Sequence, residues 1–229
     1  MRYQDKVDDP HSSHAIILSR AGDGRGKRLL DVGSAQGVLA ERFGARGFEV
    51  VCIEGDPGLA ATAAGRCRQM IIANLDQPVM GLTGTFDVIV LGDVLEHLQD
   101  PLQVLRDLLR YLKPDGKLIV SVPNIAHLFI RLNLLVGRFE YTDRGILDRT
   151  HLRFFTRRSF RQLLEEASVV VDEVTASAVP LFLVWPGQAR RGWLRASHRL
   201  NGYVARHWST MFGYQFIAVA RREKHRHET

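Results

Sequence analysis

The chain has 229 residues, 45% of them hydrophobic, which is enough to bury the core of one α/β domain. No apolar run approaches the roughly 18 residues that a membrane-spanning helix needs, and the N-terminal residues lack the apolar stretch of a signal peptide. The formal net charge of +6 is concentrated in residues 185–229, which contain nine basic and two acidic residues. Two cysteines follow no metal or disulfide spacing, so the composition predicts a single-domain cytoplasmic protein over residues 1–229.

Strand-like apolar runs alternate with helix-like segments along the chain, a rhythm typical of a mostly parallel sheet. The predicted strands lie near 28–32, 49–53, 70–73, 86–91, 117–122, 169–175 and 214–220. The predicted helices lie near 11–20, 37–46, 57–65, 101–112, 157–167 and 190–208, and KPDG at 113–116 is expected to close the fourth of them. We therefore expect an α/β fold with a seven-stranded, mostly parallel sheet and helices on both of its faces.

The first predicted strand leads into a loop of small residues, LLDVGSAQG at 29–37, and then into a helix. Gly33 and Gly37 let a ligand approach the main chain, and the helix N-terminus offers unpaired N–H groups. Glu54 ends the second predicted strand, where an acidic side chain can accept both hydroxyls of a ribose. Together with Asp31 and Ser34, these residues predict a nucleoside-binding site.

The loop spacing separates two nucleoside cofactors. A dinucleotide fingerprint, GxGxxG or GxGxxA, fails because Ala35 and Val38 occupy its second and third positions. The looser DxGxGxG loop is matched by Asp31, Gly33 and Gly37, with Ala35 in place of the middle glycine at the cost of a methyl group's clearance. The chain therefore resembles a class I S-adenosylmethionine (SAM) methyltransferase, which implies a Rossmann-like fold and SAM as the cofactor.

Polar residues follow the next two strands. The resemblance places Asn74 and Asp76, after the third strand, at the adenine edge of the cofactor, although turn chemistry also explains them. The fourth strand ends in Gly92, Asp93, Glu96 and His97, and carboxyl ends of strands line the ligand crevice of an open α/β sheet. Its sequence, FDVIVLGDVLEHLQDP, is similar to the fourth-strand motif of ubiquinone-type O-methyltransferases. No [DNS]PP[YFW] motif of amino-methylating nucleic-acid enzymes occurs in the chain.

The segment from 124 to 156 is longer than a plain connection, so we expect it to contact the substrate. Its PN…HL and DRTHLRFFT elements resemble a bacterial methyltransferase subgroup associated with surface-glycan and secondary-metabolite pathways. His97, His151 and His127 are candidate general bases, because a neutral imidazole can accept a hydroxyl proton, and each has a structural alternative. No metal-ligand spacing is visible, so we predict metal independence. Thr156 is expected to cap the following helix.

Two further segments have alternative interpretations. Near the N-terminus, Tyr3, His11, Ser13 and His14 either close over the cofactor or belong to a solvated first helix. The last predicted helix carries an apolar stripe (Trp193, Ser197, Leu200, Val204, Trp208) beside a basic one (Arg191, Arg195, Arg199, Arg206). We predict that the apolar stripe packs on the domain and the arginines face solvent. Contact with the inner face of an anionic membrane and binding of RNA are the alternatives, and we do not expect a nucleic-acid partner.

The leading functional prediction is a SAM-dependent methyltransferase that acts on a small molecule or a glycan, at oxygen. An RNA or protein methyltransferase is one alternative, and a SAM-binding regulatory protein without catalytic activity is another.

Overall fold

A computed structural model of the chain describes residues 9–181 and 192–223. The strands are β1 (Arg28–Val32), β2 (Glu49–Glu54), β3 (Gln69–Ile72), β4 (Phe86–Gly92), β5 (Leu112–Pro123), β6 (Val169–Ala176) and β7 (Gln215–Arg222). The helices are α1 (Ser13–Ala21), α2 (Val38–Ala45), α3 (Pro57–Ala63), α4 (Pro101–Leu109), α5 (Leu128–Leu135), α6 (Arg157–Glu166), α7 (Gly192–His207) and α8 (Ser209–Phe212). Short 3-10 turns follow α3 and β4, over Ala64–Arg66 and Leu95–His97.

In the described part of the chain the strands form one seven-stranded sheet, in the order β3-β2-β1-β4-β5-β7-β6. The pairs among β1 to β5 are parallel, whereas β7 runs antiparallel to both β5 and β6. The strand order reverses between β1 and β4, which are neighbours in the sheet. Open α/β sheets bind ligands outside the carboxyl ends of the strands at such a reversal. The predicted sheet is confirmed, and the site is expected at the ends of β1 and β4.

Both faces of the sheet are covered. Alternate residues of β1 show this, because Leu30 and Val32 belong to one buried cluster and Leu29 to the other. The first cluster includes Leu105 of α4 and Phe160 of α6, with the side chains of the strands between them. The second cluster contains the buried apolar residues of α1 and α2. This two-sided burial explains why the central strands are continuous apolar runs rather than alternating ones.

Helices α3, α4 and α6 begin at the residues that the sequence predicts, whereas α5 was not predicted. Asp56 accepts hydrogen bonds from the N–H groups of Gly58 and Leu59, ahead of Pro57 in the first turn of α3. Asp100 caps α4 in the same way before Pro101. The predicted N-cap of α6 is confirmed, since Thr156 Oγ1 accepts the N–H of Ser159 in a capping box.

Two predictions about the elements are wrong. The KPDG segment does not close α4, which ends earlier at Leu109; it lies inside β5, beside a register irregularity in the pairing with β4. In α7, Trp193 and Leu200 are exposed rather than packed on the domain, and Trp208 beyond its end is 68% exposed. The buried face of α7 instead carries Leu194, His198 and Ala205.

No helix in residues 9–181 or 192–223 is long and apolar enough to cross a membrane.

Candidate active site

The loop after β1 has the backbone that its small residues predict. Gly33 and Gly37 have φ values of 68° and 76°, in the left-handed region that favours glycine. A Cβ on Gly33 would lie 2.6 Å from Val94 Cγ2, and a Cβ on Gly37 would lie 2.9 Å from Ala63 Cβ. The loop therefore needs glycine at both positions, for its backbone conformation and for its packing.

Ala35 also lies in the left-handed region, with a φ of 47°. The sequence predicts that the methyl group of Ala35 only takes up space beside the loop. This expectation is wrong, because an L-residue with a Cβ also strains the backbone in the left-handed region. The Ala35 N–H donates a hydrogen bond to Glu54 Oε2 at 2.7 Å, which ties the loop to the end of β2. The predicted ribose acceptor thus lies beside the loop that the sequence pairs with it.

Buried polar atoms without partners lie at the end of β1, in the loop after it and in α1. Among the described residues, Asp31 Oδ2, Ser34 Oγ and Ser13 Oγ are buried and accept or donate no hydrogen bond. Burial and the nearby Glu54 carboxylate raise the pKa of Asp31 to about 7. Orphaned polar atoms at this position fit a polar ligand, since a buried polar group without a partner is costly.

The first helix packs on one face of the sheet instead of being solvated, and its predicted closure over the cofactor stays a prediction. Ser13 and His14 are both buried, and Ile17 Cδ1 lies 3.7 Å from the Cβ position of Gly92, at the end of β4. His11 is partly buried, and its carbonyl accepts the N–H of Ala178. Tyr3 lies outside the described residues.

Asn74 and Asp76 lie in the exposed loop after β3. Asn74 Oδ1 accepts the N–H of Asp76 at 3.0 Å, which is the turn chemistry that the sequence also allowed. Asp76 Oδ1 accepts the N–H of Gln99 at 2.9 Å and so joins this loop to the segment after β4. Their predicted adenine contact stays a prediction, and the Asn74 amide N–H groups are the donors that would make it.

Asp93 is held rigidly after β4. It has a φ of 57°, and its carboxylate accepts a hydrogen bond from Ser121 Oγ at 2.7 Å and another from Gln215 Nε2. Its own N–H donates to Ser121 as well. Ser121 and Gln215 belong to β5 and β7, so three strand ends fix one carboxylate. The sequence singled out Asp93 but missed both partners, because neither lies near it in the chain.

Two predicted bases, His97 and His151, come together. Their ring centroids lie 4.8 Å apart at an interplanar angle of 70°, although the residues are far apart in sequence. His97 Nδ1 lies 3.2 Å from both the carbonyl and the hydroxyl oxygen of Thr150, and His151 Nδ1 lies 3.1 Å from the Ile146 carbonyl. Burial, followed by the neighbouring His97, lowers the pKa of His151. His151 is therefore neutral near pH 7.

Glu96 lies beneath this pair and is 1% exposed. Neither carboxyl oxygen has a hydrogen-bond partner among the described residues, and burial raises its pKa well above the ordinary range, with Asp93 adding to the shift. Ligand atoms of Glu96, His97 and His151 lie within 4.8 Å of one another. These three side chains could hold a metal ion. A metal bound here would contradict the predicted metal independence.

The inserted segment is fixed to the end of β4 by its backbone. The N–H groups of Leu152 and Arg153 both donate to the Glu96 carbonyl, at 2.8 and 3.0 Å. His127 caps α5 through its Nδ1, which accepts the N–H of Phe129 at 3.2 Å. His127 thus has the structural role that the sequence offered as its alternative, whereas His97 and His151 lie together at the carboxyl end of the sheet.

Sequence comparison identifies relatives over most of the chain. The family described as a methyltransferase domain matches residues 12–174. The ubiquinone biosynthesis O-methyltransferase of Acinetobacter baumannii (strain AYE) is 35% identical over 173 residues, covering 69% of this chain and 70% of the relative. The enzyme of the same name from Xanthomonas oryzae pv. oryzae (strain PXO99A) is 31% identical over 173 residues, covering 72% and 70%.

Solved structures agree in fold. A SAM-dependent methyltransferase from Archaeoglobus fulgidus has a TM-score of 0.61 at 14% identity, covering 94% of this chain and 97% of that one. The cyclase SpnF has the same TM-score at 20% identity, covering 92% and 80%. Since a protein named a cyclase shares the fold, the fold alone does not assign the reaction. The family match and the curated relatives do, and the chain therefore belongs to the methyltransferase domain family and is a SAM-dependent methyltransferase.

Proposed function

We propose that this enzyme transfers a methyl group from SAM to a hydroxyl oxygen of a small-molecule or glycan acceptor. The observation that carries the proposal is the contact between the rings of His97 and His151 at the carboxyl end of β4. A hydroxyl acceptor must lose a proton, and this pair is a proton acceptor at the expected place. The name of the curated relatives, O-methyltransferase, supports oxygen as the atom that is methylated.

The residues at the ends of β1 and β2 would hold the cofactor. Gly33 and Gly37 give the loop the left-handed backbone that shapes it, and Ser34 and Asp31 offer the orphaned polar atoms. Glu54 would accept the ribose hydroxyls. When bound, SAM supplies an already activated methyl group, so the protein's task is to align the acceptor, exclude water and take the proton.

His151 is the better base of the two. Its Nδ1 lies at hydrogen-bond distance from the Ile146 carbonyl, which requires an N–H at that position and leaves Nε2 as the acceptor. Its lowered pKa keeps the ring neutral at pH 7 and ready to take a proton. His97 packs against His151 and is itself held by Thr150, so it would position the ring or take over the proton.

The competing functions differ in what they predict for turnover. An RNA or protein methyltransferase would draw on the basic C-terminal segment and would transfer methyl groups only to a macromolecule. A SAM-binding regulatory protein would bind the cofactor without transfer, and the strained Ala35 is the residue that favours it.

The test has two stages. Calorimetric titration with SAM and, in parallel, with NAD establishes which nucleoside binds, and we expect SAM alone to do so. Transfer of a labelled methyl group to panels of phenols, catechols and glycans, followed by mass spectrometry, then identifies the methylated atom. Methyl transfer only to RNA or protein, or to nitrogen, would contradict the proposal, as would SAM binding without transfer to any acceptor.

A further inference from the structure

A pocket of about 310 Å³ lies between α5 and the loop that follows it. Apolar side chains form much of its wall, and Tyr214, from the segment just before β7, completes it. Its lining residues are Phe129, Ile130, Asn133, Arg138, Glu140, Thr142, Arg144, Gly145, Ile146, Leu147 and Tyr214. The volume is at the small end of the range for ligand pockets, which suits a compact organic molecule.

The pocket adjoins the proposed base. Ile146 lines it, and the Ile146 carbonyl is the group that lies 3.1 Å from His151 Nδ1. Tyr214 also lines the pocket and lies near Asp93, since burial and then the Asp93 carboxylate raise the pKa of the Tyr214 hydroxyl. The hydroxyl oxygen also lies 3.0 Å from the Cβ position of Gly145. A molecule in this pocket would thus lie beside the residues that follow β4.

Two guanidinium groups of the pocket form no ion pair with the described residues. Neither Arg138 nor Arg144 lies within 4.0 Å of a carboxylate of the described residues, whereas the neighbouring Arg149 pairs with Asp143 at 2.8 Å. Among the described lining residues Glu140 is the one carboxylate, so the two arginines give this lining a net positive charge. Unpaired arginines beside an apolar wall match a ligand that carries both an apolar body and an anionic group.

We propose that this pocket is the acceptor site and that it takes a hydroxylated molecule with an apolar body and a carboxylate or phosphate group, which Arg138 and Arg144 bind. This inference rests on the proposed function, since it names the class of acceptor for the same site. Phe129 and Ile130 of α5 and Ile146 of the loop hold the apolar body. Tyr214, whose raised pKa keeps it protonated, offers a donor to the acceptor's oxygen atoms.

Three probes with one apolar body test the anion preference. We would titrate 1-naphthyl phosphate, 1-naphthoate and the neutral 1-naphthol into the full chain saturated with S-adenosylhomocysteine, and measure binding by calorimetry. At least one anion should bind about tenfold more tightly than naphthol, the effect of one hydrogen bond to a charged group. The tighter of the two anions then identifies phosphate or carboxylate as the group recognised.

Matched variants locate the preference. The double variant Arg138→Met and Arg144→Met should bind all three probes with the affinity of naphthol, and both side chains are exposed, so folding should be unaffected. Arg158→Met makes the same change at an exposed position of α6 outside the pocket and should keep the preference. Glu140→Gln should tighten anion binding.

The proposal is overturned if naphthol binds as tightly as both anions, if no probe binds, or if the double variant keeps the preference. It is also overturned if Arg158→Met abolishes the preference, because the effect would then be one of overall charge. Failure of the proposed function is a separate outcome: it would appear as failure to bind SAM or S-adenosylhomocysteine, and the probe titrations can be repeated on the protein without nucleoside.

Discussion

The N–H of Ala35 donates a 2.7 Å hydrogen bond to Oε2 of Glu54, so one carboxylate joins the loop after β1 to the end of β2. The other oxygen, Oε1, accepts the N–H of Asp56 at 2.9 Å. Glu54 therefore has two partners within the protein, and its remaining lone pairs are available to a ribose. Its orientation is fixed before the cofactor arrives, which lowers the entropic cost of binding.

Replacing Glu54 with Ala should weaken SAM binding by about 1.5–3 kcal/mol, the contribution of hydrogen bonds to a charged group. The measurement is calorimetry on the purified variant, with the melting temperature recorded alongside. Glu49→Ala, at the exposed opposite end of the same strand, is the matched control and should bind SAM normally. A lower melting temperature with unchanged SAM affinity would show that Glu54 only tethers the loop.

Ala35→Gly should stabilise the protein, because glycine adopts the left-handed conformation without the strain that a Cβ imposes. We expect the free energy of unfolding to rise by about 1 kcal/mol in urea denaturation. Ala61→Gly, at an exposed site inside α3, should lower it by about the same amount, since glycine is a poor helix former. Equal destabilisation by the two changes would contradict the strain at Ala35.

Much of the fold could be predicted because the sheet is buried on both faces. Its strands are apolar runs bounded by glycine, proline or acidic residues, and each predicted strand has a counterpart. Helix α5 was missed because Leu128–Leu135 has no polar face to set a helical period, and several of its apolar residues are exposed. The packed face of α7 was misjudged because Trp193 and Leu200 mark an apolar stripe whose hydrophobicity does not reveal which side the domain covers.

The candidate site could be predicted only in part. Its loop residues are contiguous, so spacing identifies them. The contact between His97 and His151 joins residues more than fifty positions apart. Hydrogen bonds from the insertion to the Glu96 carbonyl and to His97 hold them together, and no sequence spacing reveals such bonds. A sequence motif also does not specify the backbone φ angle of a residue such as Ala35.

Asp31→Asn should stabilise the protein without SAM while weakening SAM binding. The Asp31 carboxyl has a pKa of about 7 in the folded protein, against about 4 when unfolded. The unfolded chain therefore releases this proton at lower pH than the folded protein does. As the pH rises from about 4 to about 7, the free energy of unfolding falls. An amide removes this dependence, so we expect a gain on the order of 4 kcal/mol at pH 8, from three pKa units of about 1.4 kcal/mol each, and little change at pH 4.

Denaturation at several pH values measures this effect. Asp87→Asn is the opposite control, because Lys113 and the Arg28 N–H bind that carboxylate and the pKa of Asp87 is lowered despite its partial burial. It should destabilise the protein at neutral pH. Stability of Asp31→Asn that follows wild type at every pH would contradict the raised pKa.

His151→Gln should reduce kcat about 100-fold, the lower end of general-base contributions, and leave SAM affinity unchanged. A base acts when deprotonated, and the pKa of His151 lies below its ordinary value of 6.5 because of burial and His97. The wild-type kcat should therefore fall only as the pH drops below 6.5. His97→Gln removes one of the two causes that lower the pKa of His151. The pH at which kcat begins to fall should therefore move up toward 6.5.

Steady-state kinetics between pH 5 and 8 give the profile, and His207→Gln, at an exposed site on α7, is the control that should match wild type. A limb that persists in His151→Gln would assign the proton to another group. Activity that is lost on dialysis against EDTA and restored by a divalent cation would show that Glu96, His97 and His151 act as metal ligands instead.

The exposed face of α7 predicts contact with an anionic membrane. Trp193 and Leu200 are 53% and 63% exposed, Trp208 follows the helix, and Arg199 and Arg206 are exposed on the same helix. Tryptophan favours the membrane–water interface, and arginine binds lipid headgroups. We expect the protein to sediment with vesicles that contain phosphatidylglycerol. It should bind neutral phosphatidylcholine vesicles about 30-fold more weakly, since Arg199 and Arg206 each contribute about 1 kcal/mol.

Replacing Trp193, Leu200 and Trp208 together with serine should abolish this binding and leave the melting temperature unchanged, because all three side chains are largely exposed. Leu135→Ser on α5 removes an apolar group that is even more exposed, and this variant should keep vesicle binding. Loss of vesicle binding only in the Leu135 variant would move the contact to α5. Equal binding to neutral and anionic vesicles would show that the arginines do not contribute to membrane binding. Binding to neither kind of vesicle would show that the exposed stripe of α7 has no membrane role.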